Sequence, residues 1–247
     1  MDTGNVTVET EKITEPDEQD GKLTNELSRR DWADADVVAE PTLVSGDSVI
    51  HSYYYGEGDS RSCTIVDGTN SIEAFKTSAT TNGGFYIGRY EQGTGNVCKA
   101  GVDAYVDVTR DEAKTAAEAM YSGNSEIKAT TQLISSYAWD TVLNFICQTN
   151  TDGYTLATTT SSSYGNINTG SSGKTQTGEY TEDNYSNIHD LLGNCWEWTT
   201  EYSGVASPSV SRGGFYLNSS RYAAYRIYSG TSGSNNTMIS FRSQLYV

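Results

Sequence analysis

Hydrophobic positions along this chain follow two periods, and each predicts a different kind of element. A period of two appears after Asn82-Gly83-Gly84, where Phe85, Ile87 and Arg89 alternate with Tyr86, Gly88 and Tyr90. It predicts a half-buried strand over 85–91, opened by a glycine turn. The runs SVIHSYYYG at 48–56 and RSCTIVDG at 61–68 predict two further short strands across a Gly/Asp turn. A helical period appears first over Asp107–Tyr121, where Ala113, Ala116, Ala117 and Met120 form one stripe. Thr109, with Glu112 three residues later, reads as a capping box, and Gly123 reads as the stop. The second helix is predicted over Ser135–Gln148, with Trp139, Val142, Leu143 and Ile146 on one face.

Both periods fade elsewhere. Residues 149–189 are mostly Thr, Ser, Gly, Asn and Tyr, and predict a surface segment tied down at points such as Tyr164, Ile167 and Tyr180. From Ile188 onward aromatic packing returns with Trp196, Trp198, Phe215, Tyr216 and Phe241. Helices placed early and short strands placed late predict an α+β domain. Residues 1–45 read as an acidic, weakly structured extension ahead of a domain over 46–247. Within that extension a poorly periodic helix over Lys22–Asp36 is expected from Leu23, Leu27 and Trp32.

The formal charge is −16, and in the first 40 residues 12 acids face 4 bases. That balance excludes a nonspecific nucleic-acid binder, which needs a basic stripe, and docking on an anionic bilayer. No stretch approaches the about 18 apolar residues of a membrane span, and the first residues lack the basic and apolar regions of a secretory signal. Cys63, Cys98, Cys147 and Cys195 are too far apart for a zinc motif, and the chain has two histidines. Free thiols are the default reading, with one or two disulfides as the alternative.

Little in the sequence points to catalysis. A hydrolytic triad would have to recruit His51 or His189, no serine sits in a nucleophile-elbow pattern, and no phosphate-binding glycine motif is present. The run Asp190-Leu191-Leu192-Gly193-Asn194-Cys195-Trp196-Glu197-Trp198 is the most distinctive block. Two readings stay open for it. Asp190 and Glu197, with backbone carbonyls around Gly193, offer hard oxygen ligands to calcium. Otherwise Glu197 satisfies backbone N–H groups or an arginine such as Arg212 while the tryptophans pack. A second feature lies downstream: 16 of the 22 residues from Tyr216 to Thr237 are Tyr, Ser, Asn, Thr or Gly. This is the mixture of antibody-like binding surfaces, with tyrosines as rigid contact area and small polar residues as adaptable partners.

Three blocks, Asn187 to Thr199, Ser211-Arg212-Gly213-Gly214-Phe215-Tyr216 and Ile239-Ser240-Phe241-Arg242, resemble the formylglycine-generating enzyme (sulfatase-modifying factor) domain. That family's pattern in these places is roughly NxxDLxGNVWEWT, RGGSW and GFR. Gly84 to Glu91 resembles its opening strand, and 108–145 its two helices. The resemblance covers about 48–247. It implies a C-type lectin fold of the formylglycine-generating type, with two helices, short twisted strands and long irregular loops. It also implies that Asp190, Gly193, Cys195 and Glu197 match the family's calcium ligands, the middle two through their carbonyls. Calcium would be a structural ion, and no cofactor is required. The enzymes' two copper-binding cysteines fall at positions occupied here by Asn218 and Ala223, so their oxidation chemistry is expected to be absent.

Within the same fold the chain resembles the variable proteins of diversity-generating retroelements in phages and prophages, whose C-terminal repeat is rewritten at adenines. The resemblance places a variable region over 211–242 and implies ligand binding without catalysis. Tyr216, Tyr222, Tyr225 and Tyr228 are the candidate anchors, and Asn218, Ser219, Ser220, Asn235 and Asn236 the adaptable contacts. About half of the tyrosines are expected to point inward. Arg226 and Arg242 are read as framework. The implied partner is a protein or glycan on a cell surface, with the N-terminal part joining a phage tail or another assembly. A virion tail or a bacterial cell surface is the implied location. A fixed-sequence structural or host-attachment component of a tail is the alternative, and a divergent enzyme of the formylglycine-generating type the third reading.

Overall fold

The computed structural model describes residues 18–19, 22–23, 27–31, 42–45, 48–51, 72–122, 129–158, 160–167, 173–202, 209–218, 221–228 and 236–246. Strands β1 (Glu18–Gln19), β2 (Lys22–Leu23), β3 (Leu27–Asp31), β4 (Thr42–Ser45) and β5 (Ser48–His51) come first. Then follow α1 (Ile72–Thr81), β6 (Gly84–Gly88), α2 (Arg110–Ala119), β7 (Thr130–Leu133), α3 (Ser136–Thr149) and α4 (Gly153–Thr158). The chain continues through β8 (Trp196–Tyr202), β9 (Ser209–Arg212), β10 (Arg226–Tyr228), β11 (Ile239–Phe241) and β12 (Ser243–Tyr246).

Local chemistry starts both predicted helices. Thr109 accepts the Glu112 N–H through its side chain while Glu112 accepts the Thr109 N–H at 2.8 Å, the reciprocal capping box. Ser135 caps α3 by accepting the Ala138 N–H at 3.0 Å. The α2 stripe buries Ala113 and Ala117, and the α3 face buries Trp139, Val142, Leu143 and Ile146. Over Lys22–Asp36 a strand replaces the expected helix: Leu27–Asp31 pairs antiparallel with Gly84–Gly88. The sheet therefore takes a strand from before residue 46. Ladder pairing along β6 outweighs the weak helical spacing of Leu23, Leu27 and Trp32. Of the two strands expected between 48 and 68, the first forms as β5 in a hairpin with β4, and the second lies outside the described residues.

Two four-stranded sheets carry the domain, one ordered β3-β6-β12-β7 and the other β10-β9-β8-β11. The first is antiparallel throughout. In the second, β11 runs parallel to β8, with Ile239 opposite Trp196, Ser240 opposite Glu197 and Phe241 opposite Trp198. One core cluster joins α1 and α3 to Phe85, Ile87, Leu191, Leu192, Ala223 and Ala224. The other joins α2 to Trp196, Trp198, Tyr225 and Phe241. β6 corrects the half-buried reading, because all five of its residues are buried. It is an inner strand, and its supposedly outward Tyr86 packs against Tyr121 and Leu245 on the second face.

Candidate functional site

The described part of the segment after Ser211 is held largely by its backbone. Gly213 (φ +87°) and Gly214 (φ +88°) turn the chain out of β9 in the left-handed region that glycine tolerates. A Cβ on Gly213 would lie 2.8 Å from the Leu191 carbonyl oxygen, so the turn sits directly on the preceding loop. Gly193 N–H donates to Gly213 O at 3.1 Å, and Tyr216 N–H to Asn194 O at 3.2 Å. Asn218 closes the turn by accepting the Phe215 N–H at 2.9 Å while its own N–H donates to Phe215 O.

The return limb is fixed more firmly still. Trp139 Nε1 donates to Ala223 O at 2.9 Å. Ala223 and Ala224 N–H donate to the Leu156 and Ala157 carbonyls of α4. Arg212 donates from Nε to Tyr225 O and from Nη2 to Ala224 O, each at 3.1 Å, and is ion-paired with Asp140 in the interior. Its guanidinium carbon also lies 5.7 Å from the Trp139 ring centroid. At the far end Asn236 O accepts the Asp107 N–H and Asn236 Oδ1 the Met238 N–H, and Met238 O accepts the Trp196 N–H. Much of this hold runs through main chain, while the Asn218 and Asn236 side chains are themselves spent on local backbone N–H groups.

Tyr216 is half-buried, with its ring edge-on to Phe215 at 5.3 Å. Asn218 is half-buried and serves its own turn, and Asn236 is exposed. Tyr222 is half-buried and packs edge-on against Tyr225. Tyr225 corrects the reading as a surface anchor. It is 2% exposed, lies 5.8 Å from Trp196 and is capped by Arg221 at 4.3 Å, so it belongs to the core. Ser219, Ser220, Asn235 and the Tyr228 and Arg226 side chains lie outside the described residues. Sequence reading missed Leu217, which is 54% exposed beside Tyr216, and the half-buried Arg221. Leu217 is the single leucine among the tyrosines and small polar residues of 216–237. Its position in the Gly-Gly turn, with no periodic partner, was the available signal.

The family resemblance would set the enzymes' cysteines at Asn218 and Ala223. Asn218 is engaged with Phe215, and Ala223 is fully buried. A groove of about 400 Å³ between α2 and β7 is lined by Glu118, Tyr121, Ser122, Ala129, Thr130, Thr131 and Gln132. Among the described residues Glu118 is its one carboxylate.

Around the Asp190–Trp198 block lies a cluster of buried carboxylates. Glu91 accepts the Cys195 N–H and the Asn194 side-chain amide, each at 2.8 Å. Asp190 accepts the Gly178 N–H, and its own N–H donates to Asp183 at 2.9 Å. Glu197 takes both hydrogen bonds of the Arg242 fork, from Nε at 3.0 Å and from Nη2 at 2.7 Å. Arg242 reaches on to the carbonyls of Gly88 and His189, each at 2.7 Å. This corrects the proposed pairing of Glu197 with Arg212, whose partner is Asp140. Arg242 is framework, as the sequence predicts. Burial raises the carboxyls of this cluster: Asp183 to about 7, Asp190 to about 8 with the charge of Asp183 adding to it, and Glu91 well above its ordinary value. Glu197 is raised to about 7 by burial against the opposing pull of Arg242. His189 stacks on Tyr90 and lies 3.4 Å from Asp183. Cys98 and Cys195 are buried free thiols, and burial pushes the half-buried Cys147 to about 11, away from reactivity. Cys63 lies outside the described residues.

Among solved structures, CarF resembles this chain at 14% identity with a TM-score of 0.48, over 66% of this chain and 86% of its own. Treponema denticola variable protein 1 resembles it at 14% identity and a TM-score of 0.44, over 66% and 84%. None of the curated proteins matches. The family described as the sulfatase-modifying factor enzyme 1-like domain matches residues 79–243. That span takes in α2, α3 and α4, the Trp-Glu-Trp strand, the Gly-Gly turn and Phe241-Arg242. The α+β, C-type-lectin-like architecture agrees with it. A match over that much of the chain, with these blocks inside it, makes the chain a member of the sulfatase-modifying factor enzyme 1-like domain family.

Proposed function

We propose that this domain is a non-catalytic ligand-binding protein whose C-terminal face is diversified by a retroelement. One observation carries the reading. In the described parts of 211–241 the main chain is pinned by Trp139, Arg212, α4 and Asn194, while Tyr216, Leu217, Arg221, Tyr222 and Asn236 keep part or all of their side chains accessible. A scaffold of this kind tolerates exchange of the displayed residues, since surface substitutions away from buried networks usually cost within about 0.5 kcal/mol. The family's oxidation chemistry has no thiol to act through in this segment, because no cysteine follows Cys195.

The partner of such a face is a protein or glycan on a cell surface, met through tyrosine and leucine contacts with a polar rim. A phage tail or another assembly would carry the domain through its N-terminal part, so that it works at a virion tail or bacterial surface. Calcium has no part in contacting the ligand. Sequencing the gene region for residues 211–247 with several kilobases downstream tests the reading. A near-identical repeat differing mainly at adenines, beside a reverse-transcriptase gene, is the expected result. An isolated gene with no repeat would leave a fixed-sequence attachment or structural component instead.

A further inference from the structure

We propose that Arg242 is the built-in cation of the buried carboxylate cluster, and that the fold stands without a metal ion. The family resemblance aligns Asp190, Gly193, Cys195 and Glu197 with calcium ligands, and calcium takes about six to eight oxygens at one centre. These residues do not fit that demand. Both oxygens of Glu197, the ligand that would bind most strongly, hold the planar fork of Arg242 at 2.7 and 3.0 Å. One oxygen of Asp190 accepts the Gly178 N–H, which leaves the other as a single oxygen for an ion. Among the described residues no three His, Cys, Asp or Glu side chains stand where they could share a metal.

Arg242 has the features of a structural cation. It and Glu197 are fully buried, and two of its three remaining donors go to the Gly88 and His189 carbonyls. One guanidinium thereby ties β6, the loop before β8, β8 itself and the end of β11 together, four segments that a bound ion would otherwise have to gather. Gly88 leaves room for it: a Cβ there would lie 3.3 Å from Arg242 Cγ. A buried fork of this kind is specific, because lysine offers a point charge and cannot make the paired bonds.

The test is thermal unfolding of the full chain in calcium chloride and in EDTA, together with calorimetric titration of calcium. Equal midpoints in the two solutions and no binding heat are expected for the wild type. An ion present at a hundred times its dissociation constant would separate the midpoints by about 5–10 °C, and that separation would overturn the proposal. Arg242→Lys and Glu197→Gln are each expected to melt several degrees lower, equally in both solutions. Should Arg242→Lys fail to fold, Glu197→Gln supplies the measurement, since it keeps one acceptor oxygen. A variant as stable as the wild type, or one whose midpoint rises only with calcium in the wild-type background as well, would remove Arg242 from this role.

Discussion

Replacing Asp140 with alanine would strand the guanidinium of Arg212 in the interior, and the structure sets the size of the loss. Arg212 is fully buried, Asp140 is buried, and the pair joins α3 to β9. Removing one partner of a buried ion pair costs about 3–5 kcal/mol, because the remaining charge loses its compensation. Two effects pull toward the lower end. Arg212 keeps its bonds to the Tyr225 and Ala224 carbonyls, and alanine in the middle of α3 returns about 0.5 kcal/mol of helix propensity. The expected loss is about 3 kcal/mol, or a fall in midpoint of about 6–12 °C for a chain of this size. A cycle of Asp140→Ala, Arg212→Met and the double variant, followed by urea denaturation, measures the coupling. The double variant is expected to recover much of the single loss. Hydrogen exchange at the Ala223 and Ala224 amides should speed up in Asp140→Ala, since Arg212 holds the limb that carries them. A coupling indistinguishable from zero, within about 0.5 kcal/mol, would refute the argument that this pair anchors the displayed face.

Gly213→Ala forces a side chain into the left-handed region at about 1–2 kcal/mol and pushes against the Leu191 carbonyl as well, so a lower unfolding midpoint is expected. Leu217→Ser is expected to leave the midpoint unchanged within about 0.5 kcal/mol while altering ligand selection in a display experiment, because the side chain is mostly exposed. Stability should also depend on pH through the buried carboxyls. Asp183, Asp190 and Glu197 sit at about 7, 8 and 7 in the folded chain against about 4 when unfolded, so the folded state binds the extra protons. Their contribution is fully present below about pH 4 and is lost as pH rises through 7 to 8, which urea midpoints between pH 5 and 9 would display as a decline.

The two helices and the strand at β6 were legible because their signals are local: a capping Thr109 with Glu112, a Ser135 cap, and alternation after a glycine turn. α4 was hidden for the opposite reason. It starts at Gly153 and is rich in threonine, a poor helix former, and it forms because Leu156 and Ala157 are packed in the core and their carbonyls serve Ala223 and Ala224. α1 likewise offers only Phe75 and Ala79 as described core residues among threonines and a lysine. The strand at 27–31 has no alternating pattern, and its partner strand β6 decides its conformation. Of the candidate site, the Trp-Glu-Trp block, the Gly-Gly turn and Arg242 could be read from the sequence. The pairing of Glu197 with Arg242 rather than Arg212 could not, because it depends on β11 lying parallel to β8. Glu91 and Asp183 join the carboxylate cluster from distant parts of the chain, with nothing in their neighbours to announce it.

If the displayed segment is diversified as proposed, the place of β12 in its sheet has a consequence for how altered genes would be screened. This strand follows the displayed segment in the chain, yet it is an inner strand, flanked by β6 on one side and β7 on the other. All four of its residues are buried. A ribosome must therefore translate through the altered codons in frame before the sheet that began with β6 can close. A stop codon or a shifted frame anywhere in the displayed segment deprives the molecule of an interior strand, and the product goes to proteolysis rather than to the surface. Missense changes at accessible positions leave that strand intact. Under that reading the topology would act as a proofreader of reading frame, passing only those copies that remain complete.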